Sequence, residues 1–204
     1  GGIDIQTKGL TCGANPHNNV DMLHIGPESR LFTHRINSVE VERLCGLKQH
    51  QLREWRRQAY MEDIGEGIKK GKTTFYFFSV HEMVGFSIAE FLVRIGTKAK
   101  SAIPFGRTIS GSVVEAILEG SNNPRRFVVV ESCEYTVSSF SCASLTDLEE
   151  RLDDDPATPF LGEIIDANAM ADRLPTVVTK FVKEIAREPK ESCDVVDLQR
   201  ARGR

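Results

Sequence analysis

The sequence predicts an α+β fold, on three observations. Apolar residues recur at helical spacing on either side of Gly46. A Gly-rich basic segment runs into a β-branched and aromatic stretch over residues 62–78. From Arg125 onward, strand-like runs displace the helical pattern. With 204 residues, 40% of them hydrophobic, the chain can bury a real core in one compact domain or two small ones.

Residues Ile36 to Met61 organise the rest. Asn37 can cap a first helix, with Glu40 three residues on able to return the hydrogen bond. Val41, Leu44 and Cys45 give that helix an inner face. Gly46 stands where a helix C-terminus commonly takes a left-handed residue, and Leu47 plugs the turn. A second helix from about Lys48 buries Leu52 and Trp55, plus Ala59 if it runs on. Its other faces carry Lys48, Gln49, His50, Gln51, Arg53, Arg56 and Arg57. Gln49, Arg53 and Arg56 follow one another at spacings of four and three, which makes one polar ridge. Such a helix suits a DNA major groove, because Arg and Lys pair with guanine edges or phosphates and Gln with adenine. Charged outer faces are also often no more than solvated, so a plain helical scaffold stays open at this point.

The segment after Met61 reads as a hairpin or wing whose Lys69, Lys70 and Lys72 would touch DNA backbone. Ser79 then caps a helix, with Glu82 at the capping-box position. That helix offers Val80, Met83, Val84, Ile88, Phe91, Leu92 and Ile95 as an apolar face. Helix, turn, helix, wing, helix is the order of a winged helix-turn-helix. GEGIKKGKT within the wing looks like a phosphate-binding loop, but its spacing departs from one. Gly67 leaves three residues before Gly71 and Gly65 leaves five, where four are needed. It also follows a helix and opens a strand, so a wing is the preferred reading.

In VERLCGLKQHQLREW and FYFFSVHEMVGFSIAEFLVRIG the chain resembles the MerR-type transcription regulators and the related excisionase-like winged helices. The resemblance covers about a third of the chain, from Ile36 to roughly Gly96, and Leu52-Arg53-Glu54-Trp55 is its most specific element. Thr74 stands where the family usually has an Arg before the wing aromatic, with Lys72 nearby. The family's long dimerisation helix is not evident. The resemblance implies a bacterial, sequence-specific DNA-binding transcription regulator. Its partners would be double-stranded DNA, a second copy of itself, and RNA polymerase or another regulator. An excisionase-like or plasmid or phage architectural protein would use the same winged helix.

Charge is distributed as such a reading needs. The chain carries a formal net charge of −3, yet from Leu31 to Phe75 nine Lys and Arg oppose six Asp and Glu. No apolar run approaches the ~20 residues that span a bilayer, so no membrane partner is expected. Five cysteines without a paired framework, and no secretory pattern, point to a cytoplasmic location.

The remaining chain divides as follows. Residues 1–30 read as a flexible arm, 31–120 as the winged module with trailing helices, 121–188 as a small α/β unit for dimerisation or partner binding, and 189–204 as a flexible tail. Leu31, Phe32 and Ile36 lead into the first helix, with a short strand beneath the wing. Thr97 to Ile109 reads as a connector because of Pro104 and Gly106, and Ser112 to Leu118 as a short helix ended by Gly120. RFVVVE and YTVSSFSCA read as a hairpin turning through Ser132-Cys133-Glu134. SLTDLEERL is a helix capped by Ser144, LGEIID a buried strand, and the final helix restarts at Pro175. The order ββαβα makes this unit α/β. Asp153-Asp154-Asp155 reads as a solvated loop and Cys133 and Cys142 as buried thiols, with no metal or cofactor expected. An enzyme or nucleotide-binding protein would need a polar pocket near Asp166. That residue is equally placed to cap the next helix, and no enzyme is expected.

Overall fold

In the computed structural model, residues 29–48, 50–58, 60–61, 64–133, 136–153 and 162–187 are described. They build helices and two three-stranded antiparallel sheets, an α+β fold. The expected arm up to residue 28, the tail from 189, Gln49, Ala59 and Asp154-Asp155 lie outside the described residues. Local side-chain chemistry sets the first helix starts. Ser29 Oγ accepts from the Leu31 N–H at the head of α1 (Arg30–Thr33), one helical turn ahead of β1 (Ile36–Asn37). Asn37 Oδ1 accepts from the Glu40 N–H, 3.0 Å, at the head of α2 (Ser38–Cys45). Val41, Leu44 and Cys45 are buried, and Gly46 ends α2 in the left-handed region at φ 67°.

The second helix, α3 (Gln51–Arg57), starts three residues later than the sequence suggests. His50 has φ 66°, a conformation that a right-handed helix cannot contain, so Lys48 and His50 belong to the turn. Side chains close the helix start from outside. Gln51 Oε1 accepts from the Lys48 N–H at 2.9 Å, and Glu42 Oε1 accepts from the Leu52 N–H at 3.3 Å. Leu52 and Trp55 are buried as expected.

A hairpin follows, β2 (Glu66–Lys70) and β3 (Thr73–Phe78), turning at Gly71 with φ 64°. β1 lies on the other side of β3, with Ile36 opposite Phe78. The next helix, α4 (Val80–Arg94), opens on a complete capping box between Ser79 and Glu82. Its burial is broader than one stripe. Phe86 is buried although it lies off the expected face, and Ile95, expected on that face, is 63% exposed past the helix end. The cause is that α4 packs against both α2 and the helix that follows.

That helix corrects the reading of residues 97–118. In place of a connector and a short helix, α5 (Ala99–Glu119) runs unbroken for 21 residues, with Pro104 inside it. Proline at the sixth position forfeits one early backbone bond. Burial of Ala102, Ile103, Ile109, Val113 and Val114 outweighs that loss. Gly106 is no breaker. A Cβ there would sit 2.4 Å from the Gly85 carbonyl oxygen, so the glycine is where α4 and α5 approach closely.

After a single 3₁₀ turn at Gly120–Asn122 come β4 (Phe127–Cys133) and β5 (Thr136–Cys142). The strands run through the expected turn residues, and Ser132 and Cys133 pair with Val137 and Thr136. Ser144 and Asp147 cap α6 (Leu145–Asp153) reciprocally, each side chain accepting the other's N–H at 3.1 Å. β6 (Gly162–Asp166) joins β4 at the sheet edge. It is not the buried strand expected, since Ile164 is 50% exposed at that edge. Asp166 caps α7 (Ala167–Arg173), and α8 (Thr176–Arg187) restarts after Pro175. Val41, Trp55 and Ile88 share one apolar core with Val128, Val178 and Ile185, so residues on both sides of position 121 are packed together.

His81, at the start of α4, stacks on Phe32 with ring centroids 4.1 Å apart. Burial pushes its pKa down from 6.5 to about 4, against a smaller upward pull from Glu82. The unfolded chain therefore takes up the proton first as pH falls. Stability held above pH 6.5 is lost progressively down to about pH 4. Urea melts near pH 7.5 and 5.5 should differ by roughly 1 kcal/mol, with the protein weaker at the lower pH. His81→Phe should remove most of that difference, and an undiminished difference in the variant would assign it to another group.

Candidate nucleic-acid interface

Leu52 and Trp55 dock α3 inward, with the Trp55 ring 6.4 Å from the Phe86 ring of α4. That fixes which side chains are left outside. Arg53 is exposed and has no ion-pair partner among the described residues. Lys48 and His50 are exposed in the turn before the helix. Arg57 is exposed but paired with Glu54, Nη2 to Oε1 at 2.9 Å and Nε to Oε2 at 3.2 Å. Hydrogen bonds from Arg57 and Gln58 hold the Glu54 carboxyl below its usual range.

Two other expected surface groups are engaged within the protein. Gln51 bridges inward, its Nε2 donating to Glu90 Oε2 at 2.8 Å while its oxygen holds the Lys48 amide. Arg56 Nη1 donates to the Ile64 carbonyl at 2.7 Å, and its guanidinium carbon lies 3.5 Å from the Tyr76 ring centroid. Of the ridge expected from Gln49, Arg53 and Arg56, Arg53 is the described member that faces solvent unpaired. Nothing in residue spacing marks Ile64 or Tyr76 as the anchor of Arg56, because one offers a carbonyl and the other comes from the next element.

The Arg56 contacts tie the hairpin to α3. Gly67 lies opposite Tyr76 and Lys69 opposite Thr74, so strand alternation puts these four on the α3 side. Gly67 leaves room for the Tyr76 ring, since a Cβ there would come within 3.0 Å of it. Lys70 points to the opposite face and Lys72 sits in the turn. All three lysines are exposed. Of the hairpin lysines, Lys69 thus shares the α3 side with Tyr76, on a frame held by a buried tryptophan and an Arg–Tyr contact.

Elsewhere the described residues offer little reactive chemistry. Among the described residues no three His, Cys, Asp or Glu side chains are grouped to hold a metal. The Cys45 thiol is buried, donates to the Met83 carbonyl at 3.3 Å, and is pushed far up by burial and by Glu90, so it stays protonated. Burial raises the Asp166 carboxyl, but the Arg126 hydrogen bond at 2.9 Å and the Ala169 and Asn168 amides outweigh this and hold it low. Among the described residues no helix is long and apolar enough to cross a membrane. No protein-family model matches the chain, and no curated protein does.

Proposed function

We propose that the chain is a MerR-like winged helix-turn-helix transcription regulator that reads the DNA major groove with α3 and grips phosphates with the β2–β3 hairpin. The observation that carries the reading is the Arg56 contact with Ile64 and Tyr76, which holds the hairpin beside α3. Arg53 then serves base edges, while Lys69 on the α3 side, Lys72 in the turn and Lys70 on the far face serve the backbone. Lys48 and His50 flank the helix start and Arg57 lies toward the phosphates. Homodimers pairing two half-sites would supply the affinity that a seven-residue helix lacks.

The test is titration of a duplex from the gene's own upstream region, and of a random duplex, at two salt concentrations. Arg53→Ala removes an exposed side chain and should leave the fold intact. It should weaken the upstream site by ~1–3 kcal/mol and random DNA much less. Replacing the three hairpin lysines by alanine should weaken every duplex alike and flatten the log–log salt slope by up to ~0.9 per lost phosphate contact. Wild-type binding by Arg53→Ala, or lost discrimination at an unchanged slope in the lysine variant, would sink the assignment of roles.

A further inference from the structure

On the face of the hairpin turned away from α3, a cleft of about 770 Å³ opens between the hairpin base, α1, α4 and α5. That volume lies within the ~300–1,000 Å³ of small-molecule sites. Three aromatic side chains line it among six Arg and Glu. The stacked pair of Phe32 and His81 stands on the helix side and Phe77 on the strand side. Its charges are unequally engaged. Glu66 pairs with Arg35 at 3.1 Å and Glu115 with Arg125 at 3.4 Å. Glu82 accepts from the Ser79 and Gly65 amides. Arg107 is exposed on the rim, with no ion-pair partner among the described residues. Three arginines and three glutamates line the cleft and balance in formal charge, and Arg107 is the guanidinium among them left open to a ligand.

We propose that this cleft binds a small planar aromatic carboxylate, its ring against the Phe32–His81 wall and its carboxylate on the Arg107 guanidinium. A guanidinium takes a carboxylate through two parallel N–H donors, which fixes the anion's orientation as well as holding its charge. His81 is neutral near pH 7 because burial depresses its pKa, so the wall does not present a second cation. Its Nε2 is buried without a hydrogen-bond partner. Tyr76 and Lys69 lie on the other face of the hairpin, whereas Lys70 points to the side of the cleft.

The full chain is titrated with benzoate, benzamide, acetate and inorganic phosphate, and the NMR resonances of Phe32, Phe77, His81 and Arg107 are followed. Benzoate should shift them saturably, while benzamide lacks the charge and acetate the ring, and both should bind far more weakly. Arg107→Gln should weaken benzoate roughly tenfold or more. Gly111 lines the cleft, and a Cβ there would meet His81 Cε1 at an ordinary 3.6 Å. Gly111→Leu should therefore fold with a wild-type circular dichroism spectrum and lose benzoate binding by filling the space. The proposal is overturned if benzoate gives no saturable shift, if benzamide, acetate or phosphate binds as well as benzoate, or if folded Arg107→Gln or Gly111→Leu keeps wild-type affinity.

Discussion

Trp55→Ala is expected to lower the unfolding free energy by ~3–5 kcal/mol, a large part of the ~5–15 kcal/mol that holds a domain folded. The ring is 5% exposed and reaches Phe86 on α4, so its loss opens a cavity at the joint between the two helices. A seven-residue helix cannot persist on its own propensity, since isolated helices shorter than ~12–15 residues are marginal in water. With Trp55 gone, Leu52 is the remaining bulky anchor of α3, and the hairpin held through Arg56 loses its support as well. Urea melts followed by circular dichroism measure the effect. Arg53→Ala, two residues away and exposed, serves as the control and should stay within ±0.5 kcal/mol. If Trp55→Ala melts with Arg53→Ala, α3 is held by something other than its buried stripe.

What the sequence made legible is mostly what short-range chemistry decides. Asn37, Ser79 with Glu82, Ser144 and Asp166 each start a helix by accepting amide hydrogens two or three residues ahead, so the signal and the structure lie in the same few residues. The hairpin was legible for a similar reason, with β-branched and aromatic residues following a glycine turn. Long-range partners were not legible. Spacing placed Gln51 and Arg56 off the buried stripe of α3. It carried no information that Glu90, 39 residues away, would take one, or that Tyr76 would lie under the other. His50 illustrates a different limit, because a left-handed histidine leaves no mark in composition and moved the helix start by three residues. The continuity of the core past residue 121 is likewise a matter of which apolar faces meet, and Val178 and Val182 could have faced any apolar surface.

The longest misread segment leads to the second large effect. Gly106→Val is expected to destabilise the protein by about 3 kcal/mol or more. Glycine commonly weakens a helix, but within α5 its missing side chain is what admits α4. An added Cβ would lie 2.4 Å from the Gly85 carbonyl oxygen and 3.2 Å from the Ala89 nitrogen. Both obstacles are backbone, so no rotamer change relieves the contact, and the two helices must separate along an interface that buries Met83, Ile88, Ile103 and Ile109. Valine cannot offset this through helix propensity, where the gain over glycine stays below ~1 kcal/mol. Gly111→Ala on the same helix isolates the cause. Its Cβ meets only His81 Cε1, at 3.6 Å, so the propensity gain stands alone and the variant should be stabilised by roughly 0.5–1 kcal/mol. The pair should thus move the urea midpoint in opposite directions. If Gly106→Val melts like the wild type while Gly111→Ala gains its increment, α4 and α5 do not cross at Gly85 and Gly106, and the packing described around them fails with that contact.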